Sequence, residues 1–471
     1  MGEVTQIDIG IVGSGPAGMA AACQAAALGL SAIVIDEQAE SGGQIYRGID
    51  SASERALSLL GPDYARGREI TRQFRASGVP RIAGSTVIQA SKDLRLSADT
   101  KTRIQEYQCR GLIVATGAIG RPFPIPGWTL PGVMAADGIQ VLLKNQGLVP
   151  QGRIVIAGTG PLAYLIAAQL LAAGADDLTF LDTTPRSNYF LAAPLLIQAL
   201  GASSYLVKGL KLLARIHRNA RLYVSGVNSL SASGSNRVQR IHYESARGAG
   251  TIDADWLLLH QGVIPDSPLL RAAECAHTWN DQQLCWQPAI DAWGETSQPG
   301  IFAVGDTSSI MGADAAPHSG RLAVFALAAR IGKITSLERE RLAAPVRDRL
   351  LKHQRIRPFL DRLYRPADNL RIPTGDTVVC RCENVSANSI ATAVTEGCPG
   401  PNQLKFFTRC GMGPCQGRYC GTTASEILAK LTASRTQDIG YFRIRPPIKP
   451  VRLETLATAA TPVKKAENYQ V

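Results

Sequence analysis

Two copies of a strand, a glycine-rich turn and a helix constrain this chain more than any other feature. The first copy runs from the apolar strand 7–12 into residues 13–18 (GSGPAG) and an Ala-rich helix, and the next strand ends at Asp36. In such a turn the glycines permit the bend, the close approach of a pyrophosphate and the packing of helix on strand, while the helix N-terminus faces the phosphates. A carboxylate at the position of Asp36 accepts from ribose hydroxyls. We therefore predict a nucleotide site formed by Gly13, Gly15, Gly18 and Asp36.

The second copy, residues 154–163 (IVIAGTGPLA), has Ala163 in place of the third glycine, and its following strand ends at Asp182. An acid at this position suits an unphosphorylated ribose, which favours NAD or another adenine nucleotide over NADP. The sequence leaves two interpretations open. This fold either binds a nucleotide through Gly158, Gly160, Ala163 and Asp182, or is retained as a scaffold.

Cysteines near the C-terminus carry the next signal. Cys380 and Cys382 form a C-x-C pair, and Cys410, Cys415 and Cys420 follow at equal spacing. Thiolates brought together from two separated turns suit an iron–sulfur cluster, and four thiolates also suit tetrahedral zinc. Spacing alone does not decide between Cys410 and the later two. The remaining cysteines, including Cys398, we interpret as structural thiols, and none of them forms the redox-active C-x-x-C pair of a disulfide reductase.

Composition excludes several classes of protein. Of 471 residues, 45% are hydrophobic and 19% charged, as in ordinary globular proteins. We find no secretory signal and no apolar run of the ~18 residues that a membrane span needs. We therefore expect a cytoplasmic protein without a transmembrane segment. Any association with the inner membrane would be peripheral, through its electron acceptor. The net charge is +12, but the basic stretch 339–365 is interleaved with acids and no nucleic-acid motif accompanies it. We predict a partner-protein face there and no nucleic-acid binding.

Three further stretches carry a resemblance. Residues 112–118 (LIVATGA), 300–306 (GIFAVGD) and 42–44 (GGQ) resemble the two-dinucleotide flavoproteins of the disulfide-reductase superfamily. The resemblance implies FAD in the first site, with Asp306 bonding its ribityl or phosphate part and Gly43-Gln44 beside the ring system. The implied FAD residues are Gly13, Gly15, Gly18, Asp36, Glu37, Gly43, Gln44, Thr116, Gly117 and Asp306.

The cysteine region resembles the ferredoxin-like domain of the bacterioferritin-associated ferredoxin. Its text, residues 408–420 (TRCGMGPCQGRYC), is similar to a narrower group: the alpha subunits of opine oxidases and D-hydroxyproline and related amino-acid dehydrogenases, and the B subunit of hydrogen cyanide synthase. This resemblance implies a 2Fe–2S cluster. Its ligands would be Cys380, Cys382, Cys415 and Cys420, with Cys410 in reserve.

The same resemblance implies that the chain transfers electrons within a larger enzyme. A beta subunit with its own FAD would oxidise the substrate, a small third subunit would complete the assembly, and FMN at a subunit interface is a further candidate cofactor. A self-sufficient NAD(P)H-dependent reductase is the alternative.

We predict an α/β fold with two Rossmann-like three-layer domains and a small α-helical iron–sulfur domain. The predicted FAD domain is discontinuous, 1–122 and 296–335, and encloses a second dinucleotide domain, 123–295. A basic helical connector, 336–373, leads to the iron–sulfur domain, 374–432, and residues 433–471 form an extended tail for partner contact.

Overall fold

The computed structural model describes residues 5–457, and the α/β fold class predicted from the sequence is confirmed. The first sheet has seven strands. Five of them are parallel and an antiparallel pair extends one edge through the long strand Ile104–Val114. In spatial order its strands are Arg81–Ala83, Ala32–Asp36, Thr5–Val12, Ile104–Val114, Arg95–Asp99 and Thr86–Ala90, with Ile301–Ala303 also paired to Ile104–Val114.

Both faces of the first sheet are buried, because its central strands carry apolar side chains at successive positions. Ile9 and Ile11 pack with the helices Pro16–Ala27 and Ala316–Arg330, while Ile33 lies in the core on the opposite face. The sequences of parallel strands that are buried on both faces are continuous apolar runs for this reason. The sheet draws strands from residues 5–114 and 301–303, and the exact limits of the domains stay a prediction.

The second sheet is entirely parallel and places the second glycine turn. Its strands, in spatial order, are Leu222–Ser225, Leu178–Asp182, Ile154–Gly158, Trp256–His260 and Val133–Ala135. One face packs on the helix Pro161–Ala172. The other face packs on an antiparallel sheet of the strands Val227–Ser233, Arg240–Ser245 and Gly248–Asp253, which completes a three-layer arrangement.

Three two-stranded ribbons complete the strands of the described chain. They pair Ala118–Gly120 with Val263–Pro265, His277–Asn280 with Cys285–Pro288, and Val378–Cys380 with Val385–Ser386. The α-helices are Pro16–Ala27, Glu54–Leu60, Pro62–Ala65, Gly67–Ala76, Ala136–Gln146, Pro161–Ala172, Arg186–Ala192, Leu196–Ala199, Ser203–Asn219, Pro268–Ala272, Ala316–Arg330, Ser336–Gln354, Arg357–Leu363, Asp368–Arg371, Ala387–Thr395, Pro401–Thr408, Cys420–Leu431, Thr436–Ile439 and Leu453–Ala457. Short 3₁₀ turns lie at Ala193–Leu195, Leu200–Ala202 and Gly305–Thr307.

The C-terminal part of the chain packs against the rest of the molecule. The helices Ala387–Thr395, Pro401–Thr408 and Cys420–Leu431 share one apolar core with the far face of the first sheet. A buried ion pair between Arg371 and Glu426 joins the end of the basic connector to the last of these helices. The part of the predicted tail from 458 onward lies outside the described residues.

One helical stretch departs from the expectation about apolar runs. Residues Arg186–Asn219 reach a mean hydropathy of 1.6 over their most apolar window, of which only 17% is buried, so by length and composition alone this stretch could cross a bilayer. A search for uninterrupted apolar residues misses it, because Gln198, Ser203 and Ser204 interrupt the run.

Candidate cofactor sites

The first glycine turn leaves no room for side chains where the chain bends and crosses. Gly13 has φ +100°, and a Cβ there would lie 2.5 Å from the carbonyl oxygen of Ala115. A Cβ on Gly18 would lie 1.9 Å from the carbonyl oxygen of Gly13. Gly15, the N-cap of the helix Pro16–Ala27, has only Gly43 near its missing side chain, at 3.9 Å. The helix N-terminus is therefore open to an anion, and this cradle fits the pyrophosphate of a dinucleotide.

The acid at the end of the second strand does not face a ligand freely. Asp36 is buried, and its Oδ2 accepts from the backbone N–H and the hydroxyl of Ser14 at 2.5 and 2.6 Å, while Oδ1 accepts from the N–H of Gln38 at 2.7 Å. Glu37 also lines the cleft and is exposed. Ribose binding by Asp36 stays a prediction. The structure gives Asp36 the task of holding the glycine turn and leaves Glu37 as the accessible acid.

The other residues assigned to FAD converge on the same cleft, whose volume is about 1430 Å³. The N–H of Gly117, a residue with φ +76°, donates to the hydroxyl oxygen of Thr307 at 2.7 Å, and the Thr116 hydroxyl donates to the carbonyl of Asp266 at 2.8 Å. Asp306 Oδ1 accepts from the N–H groups of Met311 and Gly312 at 2.8 and 2.9 Å. The cleft therefore has room and polar groups for a large cofactor. Its lining includes Gly13, Gly15, Asp36, Glu37, Gly43, Gln44, Thr116, Gly117 and Asp306.

Lys144 is a residue of this cleft that the sequence prediction missed. Its ammonium donates to the carbonyl of Gln44 at 3.0 Å and to Oε1 of Gln140 at 3.1 Å, and burial lowers its pKa to about 7. The helix Ala136–Gln146 carries it, with Lys144 on the same face as buried Gln140. The sequence signal that could have found it is this i, i+4 pair on an otherwise apolar helix face.

The second glycine turn is surrounded by the chain's own side chains. Asp182 is 1% exposed, and its carboxylate accepts from the hydroxyls of Tyr164 and Tyr223 at 2.9 and 2.5 Å and from the N–H of Thr184 at 2.8 Å. Burial and the carboxylate raise the pKa of both tyrosines, which keeps them hydrogen-bond donors. Tyr364 lies against Gly160, 3.9 Å from where a Cβ would be. The acid that the sequence assigns to a ribose is thus already hydrogen-bonded within the chain.

The cysteine region brings three sulfurs together in a buried group. The thiols of Cys380, Cys410 and Cys420 are buried and lie within 4.8 Å of one another. Hydrogen bonds from Cys410 and Cys420, and from the N–H groups of Gly411 and Glu383, hold the pKa of Cys380 well below its usual range. Backbone donors to sulfur are a normal feature of thiolate-ligated iron–sulfur sites. This donor set fits a thiolate-bound metal centre.

Cys382 and Cys415, two of the four predicted ligands, lie outside this buried group of three thiols. Burial, with the neighbouring Cys415 and Cys380, raises the pKa of Cys382, and a Cβ on Gly413 would lie only 2.2 Å from Cβ of Cys382. Gly413 is therefore required for the close approach of the two cysteine-bearing loops. The reserve ligand Cys410 lies in the buried group with Cys380 and Cys420, so the choice of Cys415 over Cys410 stays a prediction.

The loop that carries Cys415 and Cys420 also forms a wall of the first cleft. Arg418 and Tyr419 line that cleft, as do Ile448 and Lys449 of the tail. Lys449 pairs with Glu37, and the Gln416 amide donates to the carbonyl of Pro447 at 2.6 Å. The cysteine group and the cleft are thus separated by a single loop.

The basic connector is packed on the protein. The guanidinium groups of Arg339 and Arg347 lie over the ring of Trp293, at 4.4 and 4.9 Å from its centroid, and both pair with Glu340. His318, on the neighbouring helix Ala316–Arg330, stacks on His353 at 5.8 Å and is absent from the cleft lining. Burial lowers the pKa of His318 to about 4, which fits a packed neutral imidazole.

Comparison with known proteins agrees with this geometry. Residues 7–320 match the family described as pyridine nucleotide-disulphide oxidoreductase, and residues 374–460 match the sarcosine oxidase A3 domain. The A subunit of opine oxidase from Agrobacterium tumefaciens (strain Ach5) is 41% identical over 96% of this chain and 91% of its own length. The HcnB subunit of hydrogen cyanide synthase from Pseudomonas protegens (strain DSM 19095 / LMG 27888 / CFBP 6595 / CHA0) is 31% identical over 94% and 95% of the two chains.

Among solved structures, the L-proline dehydrogenase from P. horikoshii shares the fold, with a TM-score of 0.71, 18% identity and coverage of 97% of this chain and 81% of that one. The pyridine nucleotide-disulphide oxidoreductase match also supports FAD binding in this fold. The resemblance read from the cysteine text is confirmed. With its glycine cradle, its cysteine group and its full-length similarity, the chain belongs to the family of opine oxidase A subunits and is a flavoprotein oxidoreductase.

Proposed function

We propose that this chain is the electron-transfer alpha subunit of a hetero-oligomeric, FAD-dependent amine or amino-acid dehydrogenase of the opine type. One observation carries the proposal. The loop between Cys415 and Cys420 places Arg418 and Tyr419 in the wall of the cleft that holds the glycine cradle. A chain that only bound a structural metal would not need its metal-binding loop at a dinucleotide cleft.

Each part of the chain has a defined task in this proposal. The turn at Gly13 and Gly15 holds the pyrophosphate of FAD, and Asp306 orders the loop beside it. Cys380, Cys382, Cys415 and Cys420 hold a 2Fe–2S cluster, with Cys410 as the reserve ligand. When bound, FAD supplies two-electron and the cluster one-electron chemistry. Tail residues Ile448 and Lys449 form part of the cleft wall.

Substrate oxidation belongs, in this proposal, to a beta subunit with its own FAD, and a small third subunit completes the assembly. Support comes from the names of the relatives, which are those of subunits: the A subunit of opine oxidase, the HcnB subunit of hydrogen cyanide synthase and the alpha subunit of sarcosine oxidase. FMN at the interface between subunits stays a further candidate cofactor.

The rival function, a self-sufficient NAD(P)H reductase, needs a nucleotide at the second glycine turn. Asp182 is satisfied by Tyr164, Tyr223 and Thr184, and this weighs against a ribose at that position. We therefore infer a scaffold role for the second fold. NAD or ATP bound there, which the sequence left open, is the alternative that nucleotide analysis of the purified protein would reveal.

Expression with and without the partner tests the proposal. The chain alone should show negligible dehydrogenase activity with opines, N-substituted amino acids or D-hydroxyproline, and co-expression with its beta subunit should restore activity towards an artificial electron acceptor. Turnover of an amino acid at a full enzymatic rate by the partner-free chain would place the substrate pocket on this chain and contradict the proposal.

A further inference from the structure

One segment of the second dinucleotide fold exposes an unusual amount of apolar surface. In the described part of the chain, eight large apolar side chains of the stretch Arg186–Asn219 are exposed, among them Phe190 at 80% and Ile197 at 79%. We call this surface the apolar flank. It consists of Tyr189, Phe190, Leu191, Leu196, Ile197, Leu200, Val207 and Leu210. Contiguous apolar surface of this kind marks a site of interaction with protein or membrane.

The base of the apolar flank is fixed. The amide of Asn188 donates to the carbonyls of Leu363 and Arg365 at 3.0 and 2.9 Å, and buried Ala199 and Ala202 pack on Ile356 of the connector. The outward side chains are therefore presented by an ordered support, which lowers the entropic cost of binding.

The apolar flank continues into the wall of the cofactor cleft. The helix Ser203–Asn219 supplies Val207 to both, and it also places Lys208 and Lys211 in the cleft lining. Lys208 pairs with Asp63 on the first domain. Whatever covers the apolar flank therefore also lies at the mouth of the cleft, where electrons must enter under the proposed function.

The charge carried by this stretch is of one sign. From 186 to 219 the sequence has no Asp or Glu and five Lys or Arg residues. The residues are Arg186, Lys208, Lys211, Arg215 and Arg218. Complementary charge speeds association and fixes the orientation of a complex, so the fitting partner has an apolar centre with an acidic rim.

A bilayer fits this surface less well than a protein does. Pro194 and two 3₁₀ turns break the stretch, and its buried face stays hydrogen-bonded and packed on the protein, so it is not a free membrane span. A lipid surface on this face would cover the mouth of the cleft and obstruct electron entry. Exposed aromatic side chains such as Tyr189 and Phe190 are also what protein interfaces use as anchors.

We propose that the apolar flank is the docking surface for the substrate-oxidising beta subunit, an inference that rests on the proposed function and places its partner. Docking there seats the acidic rim of the beta subunit on the basic residues of the stretch other than Lys208, which already pairs with Asp63. It also brings the reaction centre of the partner to the mouth of the cleft.

The test uses the tagged full-length chain, expressed in its own host and purified with the subunit that carries amine-oxidising activity. Phe190→Asp and Ile197→Asp are compared with Phe406→Asp, a control at a side chain that is 89% exposed on the helix Pro401–Thr408. We expect the two flank variants to weaken the complex at least tenfold by sedimentation or calorimetry and the control to bind normally. Unchanged flavin content and thermal unfolding of each variant would show that the chain still folds.

Four outcomes overturn the inference. A complex that survives both flank substitutions, or that fails with Phe406→Asp alone, places the docking surface elsewhere. Flotation of the wild-type chain with phosphatidylglycerol–phosphatidylethanolamine vesicles, lost in Phe190→Asp while the subunit complex persists, assigns the flank to membrane. A wild-type chain that forms no complex with an amine-oxidising subunit overturns the proposed function itself. This outcome is distinguishable from a wrong docking surface, because wild type and all variants then give the same binding result.

Discussion

The guanidinium of Arg418 lies 3.6 Å from the carboxylate of Asp266, and both residues lie in the wall of the cofactor cleft. Arg418 comes from the loop between two cysteines, whereas Asp266 follows a strand that links the two dinucleotide folds. Burial raises the pKa of Asp266, and the positive charge of Arg418 opposes that rise. The opposite charges of this partly buried pair therefore hold the loop between Cys415 and Cys420 against the cleft.

Removing one member of this pair should lower the free energy of unfolding more than removing both. In Arg418→Met the Asp266 carboxylate loses its counter-charge, so its folded pKa rises further above the unfolded value. The variant should then lose stability relative to wild type as pH rises, by roughly 3 kcal/mol at pH 8. Urea unfolding at pH 5 and pH 8 measures this. The double variant with Asp266→Asn should recover most of the loss, and additive losses would show that the two groups do not interact.

Cluster ligation should depend on Cys415 and Cys420 and not on Cys410. Cys415→Ser or Cys420→Ser should abolish the 2Fe–2S spectrum and leave the flavin bound, since the glycine cradle belongs to another part of the fold. Cys410→Ser should retain the cluster. The iron and acid-labile sulfide content of each variant measures this. A cluster that survives Cys415→Ser and is lost with Cys410→Ser would identify the reserve set, and zinc in place of iron would refute the cluster.

Flavin retention should depend on Asp306. Its carboxylate orders the N–H groups of Met311 and Gly312 beside the cleft, and each hydrogen bond to a charged group contributes about 1.5–3 kcal/mol. Asp306→Ala should therefore weaken FAD binding by roughly ten- to a hundredfold, measured by reconstitution of the apoprotein. Asp291→Ala is the matched control, because Asp291 also orders two backbone N–H groups but does not line the cleft. Equal losses in both variants would indicate a general loss of folding.

Anaerobic addition of NADH should leave the flavin oxidised. The physical reason is that Asp182 is buried and accepts hydrogen bonds from Tyr164 and Tyr223, so the second turn offers a nicotinamide nucleotide no free acid. Tyr223→Phe, which removes one hydrogen bond to Asp182, is the comparison variant, and stopped-flow absorbance measures flavin reduction in both proteins. Rapid stoichiometric reduction of the wild-type flavin would favour the reductase function.

Lys144 should make stability depend on pH. Its folded pKa is about 7 and its ordinary value is 10.5, so between these pH values the unfolded chain binds the extra proton. The cost of burying the charge is complete below pH 7 and is relieved as pH rises, with a slope of up to about 1.4 kcal/mol per pH unit. Wild type should therefore gain stability relative to Lys144→Met from pH 7 to pH 10. A stability difference that stays constant over this range would show that Lys144 titrates as in water.

The two dinucleotide folds could be predicted from the amino-acid sequence, because glycines at 13, 18 and 158 fill positions where the backbone leaves no space for a Cβ. Local spacing also identified the cysteine region and, with it, the family. These features are local: strand, turn and helix follow one another within about thirty residues. Residues 42–44 and Asp306 could be assigned to the first cleft because they match a family pattern that is equally local.

Which side chains are free to act could be learned only from the way the domains pack. Asp36 and Asp182 occupy equivalent positions in sequence, yet one holds the glycine turn and the other is satisfied by two tyrosines from other parts of the chain. The same holds for contacts between residues far apart in sequence, which carry no local pattern because burial and pairing arise when distant segments meet. They place Cys410 within the buried thiol group, Lys144 and Arg418 in the cleft wall, and Lys449 against Glu37.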